Sequence, residues 1–63
     1  MIHMMEVVGI SNASFSEAVK SAVKKLGDGG NKMYWFEIVE QRGALKGSDV
    51  EFQVKLKVAV EGK

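Results

Sequence analysis

The chain has 63 residues, no cysteine, one histidine and a net charge of +1 from nine basic and eight acidic side chains. That length bounds it to one small domain, residues 1–63, and the charge balance gives no electrostatic footprint for DNA or a polybasic membrane contact. Disulfides are excluded and His3 alone cannot furnish the usual nitrogen–sulfur ligand set of a structural metal, so homo-oligomerisation is the remaining route to a sufficient core.

No stretch approaches the roughly 18 apolar residues of a membrane-spanning helix. Met1-Ile2-His3-Met4-Met5-Glu6 lacks the cationic start and long apolar run of a signal peptide, so the expected location is the cytoplasm. Met1, Met4 and Met5 read as adaptable packing or interface residues, not as metal ligands. There is no proline, repeat or low-complexity tail to suggest a linker.

The first predicted strand runs from Ile2 to Val8 and closes at Gly9, with Ile10 to Ala13 as a turn. Ser14-Phe15-Ser16-Glu17 has the form of a capping box and opens a helix. Phe15, Ala18, Val19, Ala22, Val23 and Leu26 then make an amphipathic stripe, with lysines gathered toward the end that favours them. Leu26-Gly27-Asp28-Gly29-Gly30-Asn31 ends the helix by glycine capping. Lys32 follows those glycines, but no strand precedes them and no Ser or Thr follows the lysine, so the phosphate-loop pattern is not met.

The second predicted strand is Met33 to Gln41. Strict alternation places Tyr34, Phe36 and Ile38 on one face and Trp35, Glu37, Val39 and Gln41 on the other. Arg42 to Ser48 is read as the hairpin connection. The third strand, Asp49 to Glu61, carries Val50, Phe52, Val54, Leu56, Val58 and Val60 on one apolar face. The fold class is α+β, in the order β-α-β-β. The helix is expected to cover Phe36, Ile38, Phe52, Val54, Leu56 and Val58, leaving Trp35, Glu37, Gln41, Gln53, Lys55 and Lys57 open. A loop centred near residue 45 puts Glu37 opposite Gln53, with Trp35 one diagonal step away.

Trp35, the single tryptophan, therefore travels with the polar residues, where an indole needs a subunit or a ligand to cover it. A flat aromatic ligand needs a planar partner for its face and matched donors and acceptors for its edge. Trp35 supplies the first. The Gln53 amide supplies the second, and Arg42 can cap a ring or pair with a phosphate.

These residues carry a resemblance to the dodecins, small flavin-binding proteins. It rests on Glu6-Val7-Val8-Gly9-Ile10-Ser11, Ser14-Phe15-Ser16-Glu17-Ala18-Val19, Trp35-Phe36-Glu37-Ile38-Val39-Glu40-Gln41-Arg42-Gly43 and Phe52-Gln53-Val54-Lys55-Leu56-Lys57-Val58, and spans nearly the whole chain. The resemblance implies a single dodecin-like domain whose three-stranded antiparallel sheet partly wraps one helix, assembling into a hollow dodecamer. It implies flavins, riboflavin or FMN, bound in pairs between tryptophans of different subunits. The matching ligand residues are Trp35, Gln53, Arg42 and Tyr34, and some relatives also bind coenzyme A.

Three departures stand out. Asp28-Gly29-Gly30-Asn31 replaces a longer helix end, which weakens a coenzyme A site there. Val60-Glu61 stands where an aromatic and a basic residue are usual, and His3 where lysine is usual. Both changes disfavour a flavin phosphate relative to the ring. The implied role is storage and photoprotection, without catalysis, since no nucleophile–base pair is evident. Two other readings are a flavin-free structural or ion-binding shell, with Glu37, Glu51 and Glu61 at symmetry axes, and a single-stranded nucleic-acid binder that stacks bases on Trp35 and Tyr34. The near-neutral charge opposes the latter.

Overall fold

The computed structural model describes residues 1–61 and contains β1 (Ile2–Ser11), α1 (Phe15–Asp28), β2 (Lys32–Lys46) and β3 (Asp49–Glu61). The sheet order is β1-β3-β2, and β3 pairs antiparallel with both neighbours. This is the expected β-α-β-β fold, an open three-stranded sheet with one helix against it. Among the described residues no helix is long and apolar enough to cross a membrane.

Ser14 caps α1 as its sequence predicts: its backbone is extended and its hydroxyl accepts from the Glu17 amide at 3.0 Å. The helix runs on through Gly27 and Asp28, two residues past Leu26. The amide of Gly29 then bonds the carbonyls of Lys25 and Leu26, and Asn31 Nδ2 donates to the Leu26 carbonyl at 3.2 Å. These bonds satisfy last-turn acceptors that would otherwise be orphaned.

Ala18, Ala22 and Leu26 of the predicted stripe are buried against Val54, Leu56, Val58 and Val60 of β3. Phe15 meets Phe52 edge-on, with ring centroids 4.9 Å apart, and ties the start of the helix to the middle strand. Gly9 does not close β1; the strand continues to Ser11 and Gly9 lies within it. A Cβ there would sit 2.0 Å from the Ala18 carbonyl oxygen and 2.9 Å from Ala22 Cβ. The glycine is a docking notch for the small-residue face of the helix.

The hairpin is tighter than expected. β2 extends to Lys46, which pairs with Asp49, so the loop is only Gly47-Ser48. Gly47 has φ +64° and is the first loop residue, the arrangement a type II′ turn requires. The five-residue strand extension moves the register. Glu37 lies opposite Lys57 instead of Gln53, Trp35 lies opposite Ala59, and Gln53 faces Arg42.

The expected strict alternation of β2 also fails. The strand has register shifts between Met33 and Trp35 and between Ile38 and Glu40, leaving Tyr34 and Val39 as extra residues. Each extra residue inverts the parity that follows it. Gln41 therefore pairs with Val54 on the helix side, while Glu40 and Arg42 pair with Lys55 and Gln53 on the outer side.

Nor does the helix cover all of the intended face. α1 packs mainly over β1 and β3. Phe36 and Ile38, on the helix side of β2, remain 45% and 47% exposed, so one subunit leaves part of its own apolar surface uncovered.

Two substitutions test this architecture. Gly9→Ala forces a methyl into a backbone carbonyl and is expected to cost at least about 3 kcal/mol, seen as a large drop in thermal midpoint. A midpoint unchanged from wild type would contradict the close helix–sheet approach. Gly47→Ala places a side chain at positive φ and is expected to cost about 1–2 kcal/mol by denaturant titration.

Candidate functional site

The outer face of the sheet, opposite the helix, is organised in cross-strand rows. Met4, Ala59 and Trp35 form one; Glu6, Lys57 and Glu37 the next; then Val8, Lys55 and Glu40; then Ile10, Gln53 and Arg42. The Trp35 indole is 57% exposed, whereas Ala59, between Met4 and Trp35, is fully buried. The indole is thus held beside a small residue with much of its surface open.

Tyr34 is displaced by the first bulge from the Phe36–Ile38 side, where alternation places it. Its hydroxyl donates to Glu61 Oε1 at 2.6 Å, and the Lys32 ammonium lies 5.4 Å from its ring centroid. The N-terminal ammonium also reaches Glu61, at 3.4 Å. Hydrogen bonds from Tyr34 and the amino terminus hold the Glu61 carboxyl below the usual carboxylate range. The same bond to a carboxylate, reinforced by desolvation, raises the Tyr34 phenol. Glu61, which the sequence marks as a departure in the last strand, is therefore an anionic partner of Tyr34 one row from the indole.

A second polar string occupies the other end of this face. Arg42 Nε donates to Gln53 Oε1 at 2.9 Å, and Gln53 Nε2 donates to Glu51 Oε1 at 2.9 Å. Lys46 Nζ donates to Glu51 Oε2 at 3.2 Å. These bonds, from Gln53 first and Lys46 second, hold the Glu51 carboxyl below its ordinary range. Within one subunit the bonded partner of Arg42 is the Gln53 amide. A shallow concavity of about 40 Å³ lies beside that amide, lined by Val8, Glu40, Arg42, Gln53, Val54 and Lys55. A larger apolar cleft, about 290 Å³, is bordered by Val23, Met33, Tyr34, Trp35, Phe36 and Val58.

The four sequence-predicted residues thus fall into two groups, Tyr34 with Trp35 and Arg42 with Gln53. Trp35 is opposite Ala59, six positions along β3 from Gln53, which is roughly 20 Å of extended strand. They share a face, but they are not diagonal neighbours. The sequence singles out Glu51 only as a possible ion ligand, not as a partner of Gln53, and does not mark Val8. Glu51 precedes Gln53 by two in an alternating strand, so its shared face was readable; Val8 needed the β1–β3 register.

Within one subunit Glu37, Glu51 and Glu61 do not gather. Glu37 lies opposite Lys57, and the other two are engaged by donors. Among the described residues no group of three or more His, Cys, Asp or Glu side chains is placed to hold a metal ion.

A family profile described as Dodecin matches residues 1–61. Solved structures agree. Dodecin from Streptomyces coelicolor is 31% identical, with a TM-score of 0.90 over 100% of this chain and 91% of that one. Dodecin from Streptomyces davaonensis is 25% identical, with a TM-score of 0.88 over 100% and 96%. A calcium dodecin from Mycobacterium tuberculosis, described as calcium-chelating, shares the fold at 20% identity and a TM-score of 0.90, over 100% and 91%. No curated protein sequence matches the chain. With a profile match from Met1 to Glu61 and the same sheet and helix, the chain belongs to the dodecin family.

Proposed function

We propose that this protein is a cytoplasmic homo-oligomer, a dodecamer, that binds riboflavin or FMN and holds it in a quenched state. The observation that carries the reading is the half-open indole of Trp35 on the outer face, on the same side as the Arg42–Gln53 pair but far from it. An isoalloxazine is shorter than the roughly 20 Å of strand between them. One ring system meets both groups only if they come from different subunits. The uncovered Phe36 and Ile38 supply apolar surface for such assembly.

In this reading Trp35 covers one ring face, a second flavin and the partner's Trp35 complete the stack, and Gln53 meets the polar edge. Arg42 anchors the amide through Nε and keeps its other guanidinium nitrogens for the ligand. Tyr34 flanks the indole. Stacking on one aromatic side chain contributes roughly 1–3 kcal/mol, whereas micromolar affinity needs about 8 kcal/mol. Binding therefore depends on the assembled site.

The electron-rich indole can reduce an excited flavin and recover the electron at once, returning both to the ground state without releasing reactive oxygen species. The function is storage and photoprotection, with no turnover. A calcium-binding role has less support, because the outer-face carboxylates of Glu51 and Glu61 already accept hydrogen bonds from neighbouring side chains.

Protein purified without added ligand is expected to show a flavin absorption spectrum, with emission quenched until denaturation. Trp35→Ala is expected to abolish uptake while the oligomer elutes as before. Equal flavin binding by that variant would refute the stacking role, and a wild type that elutes as a stable monomer would refute the shared site.

A further inference from the structure

Gln53 lies between two groups of opposite hydrogen-bonding character. On one side is Arg42, which has only donors; on the other is the carboxylate of Glu51, which has only acceptors. The amide consequently has one permitted orientation, with Oε1 toward Arg42 and Nε2 toward Glu51. The reverse orientation would set its oxygen against the carboxylate and its NH₂ against the Arg42 N–H. Lys46 fixes the second oxygen of Glu51, so the carboxylate is itself held. Ionisation favours the same state, since Glu51 stays charged below the ordinary carboxylate range.

We propose that Glu51 is a positioning residue that sets the direction in which Gln53 reads a ligand edge, and so selects ligands with an unsubstituted imide N–H. This inference rests on the flavin reading above. After its bonds to Arg42 and Glu51, Gln53 keeps one acceptor lone pair on Oε1 and one N–H on Nε2. An imide edge runs acceptor, donor, acceptor. It can satisfy both remaining groups at once, pairing its N–H with Oε1 and one carbonyl with Nε2. Because the two imide carbonyls are inequivalent, a fixed amide also decides which of them is held, and therefore which way round the ring lies. Without Glu51 the amide is held by Arg42 alone, its Nε2 has no fixed partner, and that choice is weakened.

The test compares riboflavin with its N3-methyl derivative, which keeps the stacking surface and lacks the imide donor. Wild-type protein is expected to prefer riboflavin about tenfold, the effect of one hydrogen bond to a partly sheltered amide. Glu51→Ala is expected to weaken riboflavin about fivefold and leave the methylated ligand nearly unchanged, so that most of the preference disappears. Glu51→Gln, of equal size, can turn either an oxygen or an amine toward Gln53 and should lose the preference by the same route. Light scattering monitors the oligomer throughout. If both variants keep the tenfold preference, or weaken the two ligands equally, Glu51 does not position the amide. If wild-type protein takes up neither ligand, the flavin reading itself fails.

Discussion

Between Ile38 and Glu40, β2 carries one residue more than the strand opposite it, and the chemistry of the outer face depends on that offset. In a regular strand Arg42 shares the side of Ile38, beneath the edge of the helix. The bulge at Val39 exchanges the two faces, sending Gln41 to the helix side and Arg42 to the side of Trp35 and Gln53. A guanidinium next to an amide, bonded at 2.9 Å, is the direct result. The first bulge does comparable work at Tyr34, whose hydroxyl reaches Glu61 instead of the apolar side.

The core has its own constraint. Every buried strand residue except Gly9 belongs to β3, and the helix lies chiefly over β1 and β3. β2 is left as a long flank with aromatic and aliphatic side chains on both sides. In an isolated small domain such a flank invites uncontrolled pairing. In the proposed assembly it would offer that surface to neighbouring copies, and the tryptophan lies in its first third.

Much of the fold was legible because local signals agreed with one another. The capping box at Ser14, the helical stripe through Leu26 and the unbroken alternation from Val50 to Val60 each specified an element that is present. The bulges were not legible, because nothing in Met33 to Gln41 distinguishes a bulged residue from a regular one; Tyr34 and Val39 are ordinary strand residues. The misplaced register had a related cause. Gly43 looked like part of a loop, yet it pairs with Phe52 inside the sheet, and only Gly47 adopts the backbone a turn demands. Of the candidate site, the residue types and their common face could be read. Their separation along the strand could not, since it depends on where the hairpin turns.

The pairing of Ile2 with Glu61 brings the start of the first strand and the finish of the last within one strand spacing. Both leave the sheet at the indole's end, far from the Arg42–Gln53 string. A peptide appended to either end would emerge in the same place and crowd the aromatic surface. The Gly47-Ser48 turn lies at the opposite pole, and labels or insertions meant to spare Trp35 belong there.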